Sequence, residues 1–183
     1  MPMRTRAITL LQRFNKPQKS PMKPTSVRMN IDTGEKTWLT PPSIMKVLGS
    51  FDLDPCCPPS MPWRTAKRMV SLPENGLEVD WTGKRVWLNP PYGRDAIPFL
   101  RKMADNRNGL LLTFARTDTS SWQDLIFPYA HTIMFLRGRI NFHLPNGFVG
   151  KRSPAPAAIV AYSEHDSVIL GKSGLQGTIV HIK

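Results

Sequence analysis

The sequence predicts an α/β domain built on a mostly parallel sheet with an antiparallel edge, and three observations carry that expectation. Short continuous apolar runs, Arg85-Val86-Trp87-Leu88 and "LLLTFA" at residues 110–115, read as strands buried on both faces. Between them, "DAIPFLRKMADNRNG" has helical periodicity, with Asp95 near its start and Gly109 past its end. Further on, the strands "TIMFL" and "AAIVAY" follow one another without an intervening helix, which suggests the antiparallel edge.

The other elements follow in chain order. Residues 1–30 read as a flexible basic arm, and residues 31–183 as the folded domain. From Met1 to Ile31 there is no acid, while Arg4, Arg6, Arg13, Lys16, Lys19, Lys23 and Arg28 are all cationic. Thr40 followed by Pro41 reads as an N-cap and a first-turn proline, and "SIMKVLG" closes on Gly49 as a helix stop. "FDLD" and "KRMVS" are short strand candidates, and "SSWQDLIFPYA" is a short helix candidate. "GRINFHLPNGF" is a hairpin-like excursion with Asn146-Gly147 as its turn. Ligands of such sheets bind at the carboxyl ends of strands, which would line up Asp54, Asn89 and the residues after Ala115 on one rim.

Composition narrows the function. A net charge of +12 and a pI near 10.2 favour a polyanionic partner, nucleic acid above all. The two cysteines are adjacent, Cys56-Cys57, which suits a reducing compartment better than a structural disulfide. With four scattered histidines there is no metal-ligand spacing, so no metal is expected. No apolar run reaches the roughly 20 residues that cross a bilayer, and the basic start lacks a secretory pattern. We expect a cytoplasmic monomer without membrane association.

The most informative stretch is Asn89-Pro90-Pro91-Tyr92, after the strand at Val86. Prolines cannot donate to a sheet ladder, and their locked backbone makes rigid neighbours. An exocyclic purine amine is a weak nucleophile because its lone pair is delocalised into the ring. Two fixed acceptors, the Asn89 side-chain oxygen and the Pro90 carbonyl, could draw its hydrogens and the nitrogen towards tetrahedral geometry. Tyr92 offers a flat face for a base rotated out of its duplex. Arg116, Arg137 and Arg139, at or just past strand ends, are placed to meet flanking phosphates. Lys151 and Arg152 add charge to the hairpin excursion, a ribbon small enough to read about one to three base pairs.

Taken together, "WLTPPSIMKVLGSFDLDPCCPP", "ENGLEVDW", "WLNPPYG", "RTDTSSW" and "RGRINF" resemble the phage-type, Dam-like N6-adenine DNA methyltransferases, from about Trp38 to Tyr162. The resemblance implies a Rossmann-like class I methyltransferase fold that uses S-adenosyl-L-methionine and acts on DNA. It implies Asn89, Pro90, Pro91 and Tyr92 as the catalytic motif. It assigns Asp54, Pro55 and Cys56 to the cofactor, with Trp38, Thr40 and Pro41 at its methionine end. Glu74 would meet the ribose hydroxyls, and Asp80 and Trp81 the cofactor's adenine. One departure stands out: Cys57-Pro58-Pro59-Ser60 occupies the place of the usual Gly-rich loop. The same tetrapeptide also serves enzymes acting on RNA or on protein glutamine amides. A nucleic-acid-binding module with a degenerate pocket is the non-enzymatic alternative.

Overall fold

The computed structural model describes residues 37–183, and the expected arm over residues 1–30 lies outside them. The chain runs through α1 (Pro42–Leu48), β1 (Leu53–Asp54), β2 (Arg68–Met69), β3 (Val86–Leu88), α2 (Ala96–Asn106) and β4 (Gly109–Phe114). A π-helical turn (Ser121–Ile126) leads to β5 (Thr132–Leu136), β6 (Asn141–His143), β7 (Val149–Arg152), β8 (Ala157–Ala161), α3 (Glu164–Lys172) and β9 (Gly177–His181). Among the described residues no helix is long and apolar enough to cross a membrane.

Seven strands form one sheet in the order β2-β1-β3-β4-β8-β5-β9, while β6 and β7 pair as a separate ribbon. β2, β1, β3 and β4 are parallel. β8 is antiparallel to both β4 and β5, so β5 points the same way as the parallel set. The expectation of an antiparallel edge is therefore half of the arrangement. β9 is an antiparallel edge strand on β5, but β8 is also antiparallel and lies inside the sheet. The reason is visible in β8 itself: all five residues are buried, as a strand flanked on both sides requires.

Alternation along the strands divides the core in two. Val86, Leu88, Leu111 and Val160 face one side, where α2 adds Leu100 and Met103. Trp87, Leu110, Leu112 and Ile159 face the other, covered by Leu48 of α1 and Leu170 of α3. Helices thus cover both faces, and the strand ends are left to carry function.

The amino ends of the central strands are fastened by one buried ion pair. Arg85 Nε donates to Asp166 Oδ1 at 2.7 Å, with the Asp166 side chain wholly buried. The same guanidinium donates to the carbonyls of Ser50 and Leu48, and lies 4.2 Å from the Phe51 ring centroid. Asp166 Oδ2 accepts from the Gly109 N–H and from Ser163 Oγ, which in turn caps α3 by accepting from the Asp166 N–H. Gly109 is obligatory here: its φ is +124°, and a Cβ would lie 2.0 Å from the Val86 carbonyl oxygen.

Asp166→Ala removes the carboxylate from that network and leaves a buried guanidinium uncompensated. We expect a loss of about 3–5 kcal/mol of unfolding free energy in urea titrations. A loss below about 1 kcal/mol, the size of an exposed pair, would mean that the network is ornamental.

Candidate active site

At the opposite, carboxyl ends of β1, β2 and β3 lies a cavity of ≈ 590 Å³. Its walls are Thr37–Thr40, Asp54–Pro59, the loop carrying Glu74–Leu77, and Asn89–Tyr92. It therefore brings together Trp38, Thr40, Asp54, Pro55, Cys56, Glu74, Asn89, Pro90, Pro91 and Tyr92. Its volume falls in the range of small-molecule and cofactor sites, about 300–1,000 Å³.

Asn89 follows the last residue of β3, so strand geometry fixes its backbone. Its Nδ2 donates to the Trp38 carbonyl at 3.0 Å. That bond turns the amide, leaving Oδ1 as an acceptor that no protein donor reaches among the described residues. Tyr92 lies flat on Phe114 at the end of β4, with ring centroids 4.3 Å apart and planes 2° from parallel. One face of the tyrosine is thus used, and the residue as a whole is 37% exposed.

Thr40 corrects a sequence expectation. The N-cap of α1 is Pro41, not Thr40, and no side chain caps it. The Pro41 carbonyl takes the first helical bonds, from Ile44 and Met45, one residue too late for a threonine cap. The Thr40 hydroxyl is left buried and without a partner, in the cavity wall. Pro41 itself is buried and does not line the cavity.

Asp54 is 4% exposed and closes its own turn, accepting from the Cys56 N–H at 3.0 Å and from the Thr65 hydroxyl. Burial pushes its carboxyl up to about 6, against these two hydrogen bonds, which pull it down. Burial first, and then the charge of Asp54, raise both neighbouring thiols, Cys57 to about 12, so neither is a ready nucleophile.

The missing Gly-rich loop has a substitute that the residue pattern does not single out. At Gly76 a Cβ would lie 1.9 Å from the Pro55 carbonyl oxygen, so only glycine lets this loop close against the β1 turn. The turn dipeptide Asn75-Gly76 is its only local signal. The loop is gripped from behind: Trp81 Nε1 donates to the Gly76 carbonyl, and Lys102 Nζ donates to those of Leu77 and Val79. Trp81 belongs to the core, and Asp80 is exposed in a turn with Thr82 and Lys84. The structure does not bring either to the cavity lining. Glu74 stands at the rim, paired with Arg68.

Arg116, Arg137, Arg139, Lys151 and Arg152 are all exposed, and none pairs with a carboxylate among the described residues. Arg116 and Arg137 follow β4 and β5 on the same edge of the sheet as Asn89. The ribbon of β6 and β7 joins the cavity wall through paired backbone bonds between Leu39 and His143, 2.9 Å each way. Phe142 is buried against Trp38 and cannot reach a ligand of the ribbon.

The chain with this mixed sheet and its Asn-Pro-Pro-Tyr step at the cavity belongs to a known class: the family described as DNA N-6-adenine-methyltransferase (Dam), which matches residues 29–166. It is 33% identical over 98 residues to a DNA N-6-adenine-methyltransferase of Haemophilus phage HP1 (strain HP1c1), an overlap of 50% of this chain and 54% of that protein. The chain thus spans about half the length of this curated relative. No solved structure matches it.

Asp54 gives the site a measurable titration. Its folded carboxyl is raised from 3.8 to about 6, so its favourable contribution is present below pH 3.8 and lost as pH rises through 6. Asp54→Asn should leave stability near wild type at pH 4 and exceed it by about 2–3 kcal/mol at pH 8. Denaturation midpoints at both pH values check this. A pH-independent difference would show that burial does not oppose the charge.

Proposed function

We propose that this chain transfers a methyl group from S-adenosyl-L-methionine to the exocyclic N6 amine of adenine in DNA, within a Rossmann-like class I methyltransferase fold. The observation that carries the reading is the orientation of Asn89. With Nδ2 held by Trp38, the free Oδ1 accepts a hydrogen from the target amine, and the Pro90 carbonyl accepts the other. As the amine gains a fourth substituent its hydrogens become more acidic, so both bonds strengthen towards the transition state. The prolines keep these acceptors from reorganising, and the surplus proton leaves to water. The base, turned out of its duplex, stacks on the outer face of Tyr92 and extends the pile begun by Phe114.

The cavity fits the cofactor by its chemistry as well as its size. The unpartnered hydroxyl of Thr40 would meet a polar ligand group, as would the Asp54 carboxylate, and Glu74 would accept from a diol. Trp81 then acts from behind, by holding Gly76. S-adenosyl-L-methionine supplies a methyl group already activated on a sulfonium. Arg116, Arg137, Arg139, Lys151, Arg152 and the basic arm at residues 1–30 serve the DNA phosphates.

Asn89→Ala should lower methyl transfer to adenine by a factor of about 100 to 1,000. S-adenosylhomocysteine affinity, read by calorimetry, should stay close to wild type. Incubation with labelled S-adenosyl-L-methionine and duplex DNA, followed by nucleoside analysis, measures the first effect. Full activity in the variant sinks the catalytic assignment, and label on RNA or protein instead of DNA sinks the substrate.

Replacing Lys151 and Arg152 together by alanine should reduce the salt dependence of DNA binding. The slope should fall by about 0.9 for each phosphate that the variant no longer neutralises. An unchanged slope in binding titrations at several salt concentrations would remove the ribbon from the DNA interface.

A further inference from the structure

We infer that Phe148, at the tip of the ribbon, is an aromatic wedge that enters the DNA duplex and fills the place vacated by the turned-out adenine. The inference rests on the proposed methylation of duplex DNA and adds a residue that the chemistry above does not use. Phe148 is 73% exposed and its neighbour Val149 is 63% exposed, among the largest apolar exposures of the described residues. A solitary exposed apolar side chain is ordinary. This one is held out by a turn that is unusually well tied.

Four hydrogen bonds fix the turn. The Gly147 N–H donates to the Leu144 carbonyl at 2.8 Å, and the Leu144 N–H donates to the Phe148 carbonyl at 2.9 Å. The Phe148 N–H donates to Asn146 Oδ1 at 3.0 Å, and His143 Nδ1 donates to the Gly147 carbonyl at 2.9 Å. Gly147 takes the positive φ, +84°, that lets the chain reverse here. The aromatic ring is therefore presented by a rigid tip, which spares it an ordering cost on insertion.

The tip is also in the right place. Trp63 packs edge-on against His143 at 5.2 Å, and Met61, two residues earlier, lines the cavity. On the other side, His143 is bonded to Leu39, beside the Trp38 carbonyl that orients Asn89. The ribbon is thus joined to the wall of the pocket that would receive the base. Exposed Lys151 and Arg152 lie further along β7, with Arg152 opposite Asn141 at the base of the ribbon and exposed Arg139 just before it, and this positive charge on the ribbon favours a polyanion over another protein surface. Apolar side chains inserted between base steps are a general device for unstacking a duplex.

The test uses the full chain and a duplex whose methylated adenine has first been mapped by sequencing. 2-Aminopurine at that position reports extrusion by its fluorescence, with S-adenosylhomocysteine bound. Wild type should brighten it, and Phe148→Ala should not, with methylation of the paired duplex falling about ten- to a hundredfold. Because the side chain is exposed, the variant should melt with wild type. Placing an abasic site opposite the target should restore the variant to near the wild-type rate, since that base needs no wedge. Phe148→Trp should remain active on paired DNA. If Phe148→Ala matches wild type on the paired duplex, or stays slow opposite the abasic site, the wedge is wrong. If wild type itself transfers no methyl group to any DNA, the failure belongs to the proposed function.

Discussion

The structure hangs on the ion pair between Arg85 and Asp166. Its partners come from the end of α1, the turn into β1, the start of β3, the start of β4 and the first turn of α3. A sheet made of two- and three-residue strands has few ladder bonds of its own at β1, β2 and β3. The network supplies the missing alignment at the amino ends. The carboxyl ends are then free to diverge around a cavity. Burying two charges is costly, so this arrangement is better explained by registering five segments than by net stabilisation.

From that fixed base, position is passed to the site through backbone groups. Trp38 sets Asn89 by its carbonyl, Trp81 sets Gly76 by its indole, and Lys102 sets Leu77 and Val79 by its ammonium. The loop at Gly76 thus has its supporting residues, Trp81 and Lys102, outside the cavity lining, while Asn89 is set by Trp38 within it. A side chain can therefore support this cavity without lining it, as Trp81 does from the core.

Much of this was legible in the sequence where local chemistry decides the outcome. The alternation of α2 with β3 and β4, the strands β5 and β8, and the Asn146-Gly147 turn follow from apolar runs and turn residues. The Asn-Pro-Pro-Tyr step pointed to the carboxyl end of β3, where the cavity lies. What local pattern could not reveal was tertiary. The insertion of β8 between β4 and β5 depends on pairing partners, although its unbroken apolar run was the signature of a central strand. α3 and β9 were missed because β9 is largely exposed and α3 buries mostly Asp166, Ser167 and Leu170. Gly109 reads as a helix stop and Gly76 carries no reading at all, and only the approach of Val86 and Pro55 shows why each must be glycine.

The composition of the cavity carries a last consequence. Pro55, Pro58, Pro59, Pro90 and Pro91 line it, and none has an N–H to offer. A Gly-rich loop feeding a helix amino terminus presents donors, the arrangement suited to phosphate. Here β1 leads instead into Pro55 and a prolyl turn, with no helix before β2. The polar groups that remain are mostly acceptors: Asp54, Glu74, the Asn89 oxygen and nearby carbonyls. On a chain of net charge +12, the cavity is a locally electronegative pocket. Such a pocket disfavours phosphorylated nucleotides and favours a ligand that is cationic and carries no phosphate. S-adenosyl-L-methionine, with its sulfonium and ammonium groups, meets both conditions, which supports the proposed cofactor; on the same proposal the DNA phosphates fall to the arginines outside. Under the proposed function the protein would hold a cation and a polyanion side by side without either site competing for the other's ligand.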